Sequence, residues 1–73
     1  MPSKYPIIKP ETMIAFLQNK GFYYVKQKGS HRKYSDGKRT VIIPMHDELA
    51  KGTLKSILEQ ADISLEELLK YIS

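Results

Sequence analysis

Two breaks divide the centre of this chain. Gly29-Ser30 and Asp36-Gly37 separate residues 22–44 into three runs of strand length. The first, Phe22 to Lys28, opens on aromatic and β-branched residues that favour a pleated strand. The second, His31 to Ser35, is short, and the third, Arg39 to Pro44, is β-branched and apolar in its middle. Asp36-Gly37 is a hairpin signal, because both central positions of that turn type need positive φ. Three runs joined so closely make an antiparallel meander. A three-stranded sheet must bury one face, and only the flanking segments are available to cover it.

Those flanks read as helices. Pro10 suits a first helical turn and Glu11 complements the helix dipole. Met13, Ile14, Phe16 and Leu17 follow at helical spacing and Gly21 supplies a stop, which predicts a helix over about residues 10–20. After a loop from Met45 to Ala50, Leu54, Ile57, Leu58 and Ala61 fall at i, i+3, i+4 and i+7, which predicts a helix over 51–61. Asp62 interrupts it. Ser64 and Glu67 form a capping box, and Leu65, Leu68, Leu69 and Ile72 predict a short third helix within 64–73. Residues 1–9, with Pro2 and Pro6, read as an extended lead-in. The expected architecture is one α+β domain over residues 1–73. It is an α-β-β-β-α two-layer sandwich with an extra C-terminal helix, in the order of a double-stranded-RNA-binding domain. Ile14, Leu17, Val25, Ile42, Leu54, Ile57 and Leu58 are expected in its core.

Composition narrows the chemistry. The chain has 73 residues and no cysteine, which excludes a disulfide framework, a cysteine-based zinc site and a thiol nucleophile. Its apolar runs fall far short of the roughly 20 residues that span a bilayer. Met1 to Pro10 lacks the apolar core of a secretory signal, so a cytoplasmic location is the expectation. The net charge of +4 is unevenly spread. Residues 20–39 carry Lys20, Lys26, Lys28, Arg32, Lys33, Lys38 and Arg39 against Asp36 alone, whereas residues 46–73 carry six acids and three bases. A cationic block of this kind favours a polyanion, although a solvated face without a partner carries the same charges.

Histidine is the first place to look for proton transfer, since an imidazole titrates near neutral pH. His31 lies within Lys28-Gly29-Ser30-His31-Arg32-Lys33, at the start of a strand, behind a glycine that lets the backbone approach a ligand. Lys and Arg can hold a phosphate and stabilise charge growing on it. A neutral His31 that takes the proton of an RNA 2′-hydroxyl drives attack on the adjacent phosphate, chemistry that DNA does not offer. A polar strand-edge histidine of no chemical role fits the same residues. His46, in the loop beside Asp47 and Glu48, is a candidate auxiliary group or only a loop histidine. Ser30 and His31, as strand neighbours, point to opposite faces and are badly placed as a nucleophile–base pair. Lys51 and Gly52-Thr53 open the second helix, where free backbone N–H groups can bind phosphate and where capping alone accounts for the same residue types. Tyr23, Tyr24 and Tyr34 offer rings for base stacking, yet part of this aromatic set must be core.

The residues then match a family. Gly21-Phe22, Gln27-Lys28-Gly29-Ser30-His31-Arg32, Val41-Ile42-Ile43-Pro44-Met45-His46 and Leu49-Ala50-Lys51-Gly52-Thr53-Leu54-Lys55-Ser56-Ile57-Leu58 resemble the HicA family of toxin mRNA interferases, over roughly residues 10–61. Asp62 stands where such chains usually have glycine. The resemblance implies a toxin of a type II toxin–antitoxin system that cleaves mRNA without a metal or organic cofactor. It also implies a HicB-like antitoxin partner that covers the active site. The family's catalytic histidine corresponds to His31. The expected site is therefore His31 as base, with Lys28, Gly29, Ser30, Arg32, Lys33, Lys51 and Thr53 against single-stranded RNA, His46 as auxiliary, and no metal. A non-catalytic RNA-binding module of the same fold is the alternative, and a protein that docks a partner through its acidic C-terminal helix is a third reading.

Overall fold

The computed structural model describes residues 5–73. The expected lead-in falls partly on residues 1–4, which lie outside the described residues. The element order is α1 (Pro10–Asn19), β1 (Tyr23–Lys28), β2 (His31–Ser35), β3 (Thr40–Pro44), α2 (Lys51–Ala61) and α3 (Leu65–Ile72). This is the α+β order that the sequence predicts, with the additional C-terminal helix. The strands form one antiparallel sheet in the order β1-β2-β3.

One face of the sheet is core. Tyr34, Val41 and Ile43 pack into a cluster with Met13, Phe16 and Leu17 of α1, Leu54, Ile57 and Leu58 of α2 and Leu68 of α3, all buried. Ile8 pairs with Leu49 in an isolated bridge, which ties the lead-in to the segment before α2. The free edge of β3 is covered by α2: the Ile42 N–H donates to Gln60 Oε1 at 3.0 Å. An uncovered edge would expose unpaired backbone groups.

Two core expectations are corrected. Val25 is exposed and Ile42 is only partly buried. The cause of the first is a β-bulge. Tyr24 pairs with Tyr34 and Lys26 pairs with Lys33, which leaves Val25 as an extra residue between them. For Ile42 the cause is parity, because its neighbours Val41 and Ile43 take the buried positions. The turn at Asp36-Gly37 also differs from expectation. Gly37 has φ +97°, but Asp36 is not left-handed. Asp36 Oδ1 instead accepts from the backbone N–H groups of Lys38 at 2.9 Å and Arg39 at 2.7 Å. Those bonds, Arg39 before Lys38, hold its carboxyl below the usual carboxylate value, so the charged form that fastens the turn is lost only as pH falls through that lowered value.

The first two helices end in the same way. After α1 the Gly21 N–H donates to the Gln18 carbonyl and Phe22 to Leu17, with Gly21 at φ +96°. After α2 the Asp62 N–H donates to the Glu59 carbonyl and Ile63 to Leu58, with Asp62 at φ 57°. Both are Schellman ends, which favour glycine at the left-handed residue. Asp62 offsets its backbone strain through its carboxylate, which accepts from Arg39 Nη2 at 3.1 Å and so fastens the β2–β3 turn to α2. Asp62→Ala should therefore cost about 1 kcal/mol, losing an exposed ion pair and keeping the strain, while Asp62→Gly should stay within about 0.5 kcal/mol of the parent. Chemical denaturation measures both, and equal losses would make the ion pair, not the backbone, the reason for Asp62.

Candidate nucleic-acid interface

The face of the sheet turned away from the helices carries the charge. Cross-strand register arranges it in two rows: Lys28, His31 and Pro44 in one, and Lys26, Lys33 and Ile42 in the next. Lys26, Lys28, His31, Lys33 and Ile42 line an open cleft of about 520 Å³. A second hollow of about 450 Å³, lined by Tyr5, Lys55, Asp62, Ser64, Glu67 and neighbouring residues, contains no histidine. The chemistry points to the sheet face.

The bulge builds this cleft. With strict alternation, Tyr24, Lys26 and Lys28 would share one face. Tyr24 lies against the buried Tyr34 ring, centroids 5.9 Å apart, so two lysines would then be driven toward the core. Lysine is almost never buried without a partner. The extra residue at Val25 reverses the parity and brings Lys26 and Lys28 to the His31 side. Lys26 was not among the expected contacts. That unfavourable alternation is the signal in the sequence that could have revealed it.

The turn supplies the rest. Lys28 and His31 pair across the two-residue connection Gly29-Ser30, and Gly29 takes φ +59°. Glycine is favoured at the first position of so tight a hairpin. The Ser30 carbonyl accepts from the Met45 N–H at 2.6 Å, which holds the segment after β3 against this turn. His46 follows directly, and its ring centroid lies 6.4 Å from that of His31, the two planes 68° apart. Both histidines are exposed.

The other expected residues are elsewhere. Arg32 alternates to the opposite face from His31 and donates from Nε to Gln27 Oε1 at 2.9 Å, while Gln27 Nε2 donates to the Gly29 carbonyl at 2.8 Å. Arg32 thus braces the hairpin rather than lining the cleft. Lys51 and Thr53 are not among the residues lining it either. Lys51 Nζ lies 5.9 Å from the centre of the Tyr5 ring, and Thr53 is half-buried in the first turn of α2. The residue preceding that helix is Ala50, which makes no side-chain cap, so Thr53 is not its N-cap. Tyr34 is buried and unavailable for stacking on a base, whereas Tyr23 and Tyr24 are about half exposed.

The cationic block of residues 20–39 is divided by the fold. Lys20 Nζ pairs with Glu67 at 2.8 Å, and Arg39 pairs with Asp36 and Asp62. Lys26, Lys28 and Lys33 remain around His31. Lys26 and Lys33 stand directly opposite one another, an arrangement of like charges that lowers stability. An anion in the cleft would reverse that penalty. Among the described residues, no group of three or more His, Asp or Glu side chains is placed to hold a metal ion, and no helix is long and apolar enough to cross a membrane.

A sequence profile of the family described as HicA toxin of bacterial toxin-antitoxin matches residues 10–63, well over half of the chain. The chain belongs to that family. The match includes α1, the sheet and α2, and stops before α3. No curated protein sequence matches the chain.

Proposed function

Taking this HicA toxin as the premise, we propose that it is an endoribonuclease that cleaves mRNA and thereby stops translation until a HicB-like antitoxin binds it. The observation that carries this reading is the position of His31, an exposed imidazole in a cleft that also holds Lys26, Lys28 and Lys33. His31 accepts the proton of a 2′-hydroxyl, and the resulting oxygen attacks the neighbouring phosphate. The lysines hold the phosphate and offset the negative charge that develops on it. The open sheet face suits a single strand, whose phosphates can follow the rows of cations. Lysine cations supply the charge stabilisation here, so no metal is required. The antitoxin occludes the same face, with acidic groups complementing the lysines.

The purified chain should shorten mRNA in the presence of a metal chelator, and an equimolar HicB-like antitoxin should suppress the cleavage. RNA that is bound and left intact would replace this reading with the non-catalytic binding module. Cleavage that continues unchanged in a formed complex would overturn occlusion.

Binding should depend steeply on salt. Each phosphate contact to a single strand contributes about −0.7 to the slope of log affinity against log salt. Lys28→Ala or Lys33→Ala should flatten the slope by about one such contact, whereas Arg39→Ala, whose guanidinium is ion-paired away from the cleft, should leave it unchanged. Equal effects at all three positions would mean that the whole basic segment, not the cleft, contacts RNA.

A further inference from the structure

Two histidines far apart in sequence come close together beside this cleft, which His31 lines and His46 adjoins without being among its lining residues. His31 opens β2, and His46 follows the end of β3. The pairing of His31 with Pro44 and the bond from the Met45 N–H to the Ser30 carbonyl bring them together. Their ring centroids are 6.4 Å apart at an interplanar angle of 68°. A phosphodiester group can be reached from both rings at that separation, through hydrogen bonds of about 2.8 Å on each side. Phosphoryl transfer of this kind needs proton transfer at both ends of the displacement. The attacking oxygen must lose a proton and the departing oxygen must gain one. A base alone leaves an alkoxide to depart unaided.

We propose that His46 is the catalytic acid for RNA cleavage, paired with His31 as base; this rests on the nuclease reading given above. His31, neutral, takes the proton from the 2′-hydroxyl. The 2′-oxygen forms a bond to phosphorus as the bond from phosphorus to the 5′-oxygen breaks. His46, in its imidazolium form, gives its proton to that 5′-oxygen. The products are a 2′,3′-cyclic phosphate and a free 5′-hydroxyl. His31 is left protonated and His46 neutral, and exchange with water restores both. The nearby ammonium groups of Lys26, Lys28 and Lys33 can offset charge, but an imidazolium releases a proton near neutral pH far more readily.

The test uses a short RNA whose cleavage position has been mapped with the parent chain, and the same RNA with sulfur in place of the bridging 5′-oxygen at that position. A thiolate departs without needing a proton. His46→Ala should slow cleavage of the ordinary RNA by about 10²–10⁴-fold, the usual contribution of a positioned proton donor. The sulfur-containing RNA should be cut at near the parent rate. His31→Ala should slow both. His46→Gln, which keeps hydrogen-bonding capacity but carries no transferable proton, should behave as His46→Ala. The assignment is overturned if His46→Ala cuts ordinary RNA within a few-fold of the parent, if it slows both substrates equally, or if His46→Gln restores the rate. A parent chain that cuts no RNA overturns the nuclease reading, and this assignment falls with it.

Discussion

His31→Ala should yield a folded protein that binds RNA and no longer cuts it. The side chain is exposed at the start of β2, outside the buried cluster. An exposed substitution of this kind usually changes stability by less than about 0.5 kcal/mol. The lysines of the cleft remain, so RNA binding and its salt dependence should persist. Removal of a general base, in contrast, typically costs about 10²–10⁴-fold in rate. Toxicity in cells and cleavage in solution should therefore fall together, while binding of the antitoxin is retained. Residual cleavage by the variant should rise with pH only as free hydroxide promotes attack by the 2′-oxygen, without recovering the parent rate. The comparison is cleavage rate at matched folding, checked by circular dichroism. A folded variant that cuts within a few-fold of the parent would remove His31 from the mechanism.

Leu68→Ala should have the opposite profile, damaging the fold without touching the cleft. The family match ends at residue 63, yet Leu68 of α3 is completely buried in the common core. The helix is fastened in other ways too. Ser64 Oγ accepts from the Glu67 N–H at 3.2 Å, Glu67 pairs with Lys20, and the Tyr71 ring lies 5.3 Å from that of Phe16. Burying leucine stabilises far more than an exposed ion pair does. Truncating a buried leucine costs about 2–5 kcal/mol, whereas a chain of this size is expected to have only roughly 4–11 kcal/mol in all. The thermal midpoint should fall by about 10 °C or more, with Glu67→Ala shifting it only slightly. Any residual activity should return on cooling below the new midpoint. A midpoint within a few degrees of the parent would mean that α3 is not part of the cooperative unit.

Much of what places His31 and α3 is local in the chain. The position of His31 after a tight glycine turn follows from Lys28-Gly29-Ser30-His31, because a local break and a short run are written in adjacent residues. The capping of α3 by Ser64 is equally local, and the Ser64 Oγ bond to the Glu67 N–H is present. The partners of the basic residues are not local. Lys20 meets Glu67 and Arg39 meets Asp62 across the fold, so a run of charge along the chain becomes a smaller cluster on one face.

Local patterning determined the α-β-β-β-α order, the third helix and the histidine at the turn. Hydrophobic spacing, glycine conformation and capping act over a few residues, and these features need nothing more. Tertiary structure decided that Val25 is an extra residue, that Lys26 therefore joins Lys28 on the His31 face, and that the His46 ring lies close to that of His31. Each depends on strand register. A shift of one residue exchanges the two faces of a strand, and register is set by the packing of all three strands against the helices rather than by any one of them.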